Sequence, residues 1–154
     1  MYTLWPLGAL LACTVIAAPA LAGCSSQPPE YQPPPGALVA GTAQVTINGQ
    51  DAGTTESVQC DPAGSLMMMR TGDPDDPQAP GISAMVASGE ELVVHEVGIR
   101  DLGGFTGSYN DGLGGEATVT MTGRTYDIAG TADGFDTGNP SFRTTGTFQI
   151  KIAC

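Results

Sequence analysis

Residues 147–154 read Thr-Phe-Gln-Ile-Lys-Ile-Ala-Cys, with Phe148, Ile150, Ile152 and Cys154 at every second position and Thr147, Gln149 and Lys151 between them. Side chains alternate across a strand with period two, so the segment predicts a half-buried β-strand with one apolar face. The same alternation recurs at Val45-Thr46-Ile47 and Ala117-Thr118-Val119-Thr120. No stretch repeats its apolar residues at the 3.6-residue spacing of an amphipathic helix. The chain is rich in Gly and Thr and only 14% charged, which fits exposed β structure rather than a helical bundle. The predicted fold class is mainly β: a single antiparallel β domain, either a small sandwich or a strongly curved sheet.

Turn chemistry divides the remainder into strands. Asn48-Gly49 after Val45–Ile47 is a strong two-residue hairpin signal, with a return strand expected over Thr55–Cys60. Asp61-Pro62-Ala63-Gly64 is expected to turn the chain into the apolar strand Leu66–Met69. Adjacent residues of that strand point to opposite faces, so its methionines cannot converge on a metal and read as core. Residues 72–81 form an acidic loop whose two prolines do not suit a calcium-binding spacing. Ile82–Ala87 and Leu92–Ile99 read as a strand pair, followed by Phe105–Tyr109 and the glycine-rich turn 111–115. Glu116–Met121 and Tyr126–Gly130 form another pair, and residues 133–140 are expected to be a long turn.

The N-terminus is of another kind. Residues 1–23 contain no Asp, Glu, Lys or Arg, and Leu7–Ala18 is apolar and small. Pro19 interrupts the run short of the roughly 20 residues a spanning helix needs, so the segment reads as an export signal. It ends in Leu21-Ala22-Gly23-Cys24, an order that resembles the bacterial lipoprotein box. Cleavage between Gly23 and Cys24, with lipid attached to the Cys24 thiol, is the expectation. Two or three acyl chains would satisfy the multiple-signal requirement for stable anchoring. Residues 24–41 then form a proline-rich tether, expected to be a stiff extended spacer, and residues 42–154 the β domain.

Charge and cysteine content narrow the function. The net charge is −11, and the five basic residues Arg70, Arg100, Arg124, Arg143 and Lys151 are scattered along the sequence. This excludes a nucleic-acid surface, and it makes the lipid on Cys24 the route to the membrane. Cys13 leaves with the signal and Cys24 takes the lipid, so Cys60 and Cys154 remain as a disulfide pair in an exported domain. Period two places both on core faces. The bridge would close a loop of roughly 95 residues, worth about 4–5 kcal/mol in the chain-entropy picture. Two cysteines and one histidine, widely spaced, do not form a zinc site. The glycine cluster 111–115 lacks the Lys-Ser/Thr and the helix of a phosphate loop. His95, the sole histidine, is expected on the face of Val93, Val97 and Ile99 as a partly buried imidazole. Ser83 and Ser108 lack a nucleophile motif. No catalytic residue, no metal site and no cofactor is assigned.

Leu21-Ala22-Gly23-Cys24-Ser25-Ser26, Val45-Thr46-Ile47-Asn48-Gly49, Ser57-Val58-Gln59-Cys60, Val94-His95-Glu96-Val97-Gly98, Tyr126-Asp127-Ile128-Ala129-Gly130 and the ending Phe148–Cys154, taken in that order, resemble the mycobacterial 19 kDa lipoprotein antigen family. The resemblance covers nearly the whole chain. It implies an exported, acylated envelope lipoprotein with no established catalysis. It also implies recognition of the acylated N-terminus by host pattern-recognition receptors. The functional expectation is a non-catalytic, antigen-like displayed module. The alternative is a carrier of an apolar small molecule or envelope glycolipid, with Leu66–Met69, Met85, Met121 and Phe105 lining its cavity.

Overall fold

The computed structural model describes residues 28–154. Ten antiparallel strands follow in chain order: β1 Ala43–Ile47, β2 Gln50–Thr55, β3 Val58–Ala63, β4 Leu66–Thr71, β5 Gly81–Ser88, β6 Leu92–Leu102, β7 Phe105–Asn110, β8 Ala117–Thr122, β9 Thr125–Asp136 and β10 Arg143–Ala153. They form one sheet in the order β2-β1-β10-β9-β7-β6-β5-β4-β3. The sheet curls into a nearly closed barrel, so the curved-sheet option holds and the sandwich does not. β9 is long enough to carry two partners on one edge: Thr125–Gly130 pairs with β8, and Asp133–Asp136 pairs with β7. Its other edge pairs with β10 from Phe135–Arg143 to Thr125–Ala153.

One face of the curled sheet forms the interior. Val45, Ile47, Ile82, Ala84, Val86, Val97, Ile99, Phe105, Ile128, Phe148, Ile150 and Ile152 all bury there, following the period-two pattern of their strands. Bulges in the β1–β2, β5–β6 and β6–β7 pairings bend the strands and raise their twist, which curls a sheet on itself. The two edge strands, β2 and β3, are not paired with each other. The interior is closed there by a covalent link: Cys60 of β3 is joined to Cys154, the residue after β10, with Cα atoms 6.0 Å apart.

Three segments differ from the sequence expectation. The return strand of the first hairpin is Gln50–Thr55, because Asn48 and Gly49 (φ 51° and 77°) turn the chain in two residues. Val58–Cys60 belongs instead to β3 at the opposite edge of the sheet, and β3 continues through Asp61, Pro62 and Ala63 before Gly64 turns. Pro62 is tolerated because an edge strand has a side with no donor required. Asp133–Asp136, expected as a turn, is strand: Gly134 faces Gly107 of β7, and a Cβ there would collide with the Thr106 carbonyl oxygen. The glycine marks close backbone approach, not a reversal.

Residues 31–41, the later part of the expected tether, also depart from expectation. The compact unit spans Tyr31–Cys154, so residues 31–41 are a strap on the β domain rather than a spacer. Gly123, in the β8–β9 turn, makes room for it: a Cβ there would come 2.6 Å from the Tyr31 hydroxyl and 3.2 Å from the Pro34 ring. The Arg124 guanidinium lies 5.3 Å from the Tyr31 ring centroid, within cation–π range. The Leu38 N–H donates to Thr125 Oγ1 at 2.9 Å, and Gly41 N–H donates to the Ala153 carbonyl at 2.8 Å. Thr125 is the one buried polar residue among those described, and the strap uses its hydroxyl.

Two outcomes test this architecture. Cys60→Ser should lower the unfolding free energy by a few kcal/mol, with about 4–5 kcal/mol as the entropic ceiling for so long a loop. A denaturant titration with and without reductant reads it, and equal midpoints would contradict the closure role of the bridge. Thr125→Val removes the acceptor of the Leu38 amide and should cost about 1 kcal/mol. Hydrogen exchange at Leu38 should accelerate while exchange in the β9–β10 ladder stays slow.

Candidate functional site

Gly23 and Cys24, the expected cleavage and lipidation positions, lie outside the described residues. The other sequence-selected residues can be placed. His95 does not share a face with Val97 and Ile99. Met85 pairs with Glu96 and Val86 with Val94, so His95 is the extra residue of a bulge. The bulge shifts the alternation, burying Val94 and leaving Val93 and His95 exposed. The His95 Nδ1 lies 3.9 Å from an Asp111 carboxylate oxygen, and the Asp111 N–H donates to the His95 carbonyl. Ser83 and Ser108 lie opposite Gly98, further along β6. An imidazole with a carboxylate is present, but no serine hydroxyl is hydrogen-bonded to it among the described residues.

Tyr109 lies inside the barrel, and burial raises its phenol above the ordinary value of 10, with the Asp111 carboxylate adding to the effect. Burial and a nearby anion both disfavour the phenolate. A raised native value means that this contribution to stability is intact below the unfolded phenol's pKa and is lost as pH climbs through and beyond it. Asp111→Asn should therefore bring the Tyr109 phenol down towards 10 in an ultraviolet difference titration. An unchanged titration would mean that burial acts alone.

The apolar residues expected to line a ligand cavity are dispersed. Met69 and Phe105 belong to the packed core, Met67 packs against it, and Met121 is 46% exposed. Among the described residues the sheet instead carries an open groove of mixed polarity, about 860 Å³ in volume. Strand register builds it. Arg70, Ser83, Gly98, Ser108, Asp133 and Thr145 are successive cross-strand partners from β4 through β5, β6, β7 and β9 to β10. Partners across a sheet share a face, so these six form one row on the outside of the barrel, polar at every position but Gly98. The 72–80 loop bounds the groove on one side, with the Arg100 guanidinium donating to the Pro77 carbonyl. Phe135 and Arg143, partners in the β9–β10 ladder, line the other.

The groove gathers Arg70, Arg100 and Arg143, three of the five basic residues. In the sequence the three lie far apart. Only strand order and register place them along one groove, because β4, β6 and β10 are distant in the chain but lie in the same stretch of sheet. Of the groove's carboxylates, Asp73 accepts from the Asp75 N–H, Asp76 from the Gln78 N–H and Asp133 from the Thr145 hydroxyl. Among the described residues, no three His, Cys, Asp or Glu side chains gather as metal ligands.

Residues 36–154 match the family described as Mycobacterium 19 kDa lipoprotein antigen. The chain is 33% identical to a putative lipoprotein of Mycobacterium indicus pranii over 91% of its own length and 93% of the relative's. It is 35% identical to lipoprotein LpqH of Mycobacterium tuberculosis over 72% of its length and 68% of the relative's. A putative lipoprotein of Mycobacterium avium subsp. hominissuis is 30% identical over 97% of this chain and 99% of its own.

Proposed function

The chain belongs to the Mycobacterium 19 kDa lipoprotein antigen family, and from that premise we propose that it is an exported envelope lipoprotein whose β domain is displayed without catalysis on a lipid carried by Cys24. The observation that carries the reading is Leu21-Ala22-Gly23-Cys24 at the end of an uncharged apolar run, upstream of a domain that matches the family along its length. The fold supports a displayed module. A disulfide ties its edge, and its one histidine is exposed beside a carboxylate, with no nucleophile bonded to it among the described residues. Host pattern-recognition receptors that read acylated N-termini are the partners such an anchor would present. The carrier reading has less support, because the methionines it relies on are split between core and surface.

Cys24→Ala tests the anchor. The wild type should partition into the detergent phase, and the variant into the aqueous phase. A variant that is processed and still partitions with detergent would overturn the lipid assignment.

A further inference from the structure

We propose that the open groove between the 72–80 loop and the β9–β10 hairpin is a binding site for an acidic oligosaccharide, with Arg70 and Arg143 meeting its carboxylates and Ser83, Ser108 and Glu96 its hydroxyls.

The first reason is the use of scarce cations. The chain has 16 acidic and five basic residues, so each cation has an excess of possible carboxylate partners. Lys151 pairs with Asp127, and Arg124 stacks on Tyr31. Arg100 braces the 72–80 loop through Pro77. Arg70 and Arg143 have no ion pair among the described residues, although both line a groove that also holds carboxylates. Three of those carboxylates are engaged by Asp75, Gln78 and Thr145. Two guanidinium forks thus remain, each shaped for bidentate carboxylate recognition.

The second reason is the kind of anion that fits. A nucleic acid or polyphosphate would bring dense negative charge against Asp73, Asp76, Glu96 and Asp133. A sugar acid carries one charge per ring and is otherwise hydroxyl. Its hydroxyls can donate to Glu96 and exchange hydrogen bonds with Ser83 and Ser108. These two serines flank Gly98, where a Cβ would come 2.5 Å from Ser83 Oγ. The absent side chain keeps the floor open between them. Phe135 offers a ring to the apolar face of a sugar.

The third reason is extent and position. From β4 to β10 the row crosses five interstrand spacings of about 4.8 Å, which suits a short chain rather than a single ion. The groove lies at the Phe135–Arg143 end of the β9–β10 ladder, whereas the strap meets the ladder at its Thr125–Ala153 end. The site therefore lies at the other end of the ladder from the strap.

The test is calorimetric titration of the full-length protein in detergent micelles with tetragalacturonate, tetramannuronate, maltotetraose, inorganic phosphate and a hexa-aspartate peptide. At least one uronate should bind at least about tenfold more tightly than the neutral sugar or phosphate, a difference of about 1.4 kcal/mol. Arg70→Gln and Arg143→Gln should each weaken it about tenfold. Arg70→Lys, which keeps the charge but loses the fork, should also weaken it. Far-ultraviolet circular dichroism and melting curves check that the variants fold. Absence of saturable uronate binding, equal binding of maltotetraose, or affinity unchanged in both glutamine variants would overturn the proposal. Tighter binding of the hexa-aspartate peptide would reassign the groove to acidic peptides, and tighter binding of phosphate would reduce it to a simple anion site.

Discussion

The ladder between β9 and β10 is the constraint around which the rest is arranged. It runs without a register shift from Phe135–Arg143 to Thr125–Ala153. Ile128, Ile150, Ile152 and Phe148 along it are all buried. β1 extends the sheet on the β10 side, and β7 and β8 share the free edge of β9. Because β9 outlasts either partner, the sheet can change direction at residues 130–133 without breaking its backbone hydrogen bonding. The Thr131 N–H donates to the Glu116 carbonyl across that junction, and unpaired backbone groups in a covered position would be costly.

A curled sheet that does not close by hydrogen bonds leaves two edges, and exposed edges invite pairing with other chains. Each edge here is blunted differently. β2 carries Asp51 and a bulge at Ala52, next to Gly53, whose φ of 122° few other residues adopt. β3 carries Asp61 and Pro62, and the disulfide draws it inward. The sheet reaches barrel-like closure with an open hydrogen-bonding seam that offers little to a foreign strand.

How much of this could be read from the sequence depended on burial. β5, β6, β8 and β10 alternate because one face is covered, and their positions and the hairpin at Asn48-Gly49 were legible. β2 has no buried residue, so its composition of Gln, Asp, Gly and Thr carried no strand signal, and the pairing passed to the next apolar residues, Val58–Cys60. Asp133-Gly134 looked like a turn because Gly134 serves close strand contact in a place where glycine usually serves reversal. The phase of His95 was lost to a bulge, which adds a single residue and leaves no composition mark. The groove was not legible at all: Arg70, Arg100 and Arg143 come to line one groove through strand order and register, which period-two patterns do not contain. Cys60 and Cys154 were legible because exclusion of Cys13 and Cys24 left a single pair.

The strap alters how the domain would respond to mechanical load. A pull transmitted from the N-terminal side of Tyr31 first strains the Arg124 stacking and the Leu38–Thr125 hydrogen bond, then the Gly41–Ala153 bond and the β1–β10 ladder. The next residue after Ala153 is Cys154, covalently tied to β3 on the far edge. Tension that reaches the end of β10 is therefore shared with the opposite side of the barrel. The strap contacts ahead of the β1–β10 ladder form a series of weak, re-formable links that can yield before the sheet does.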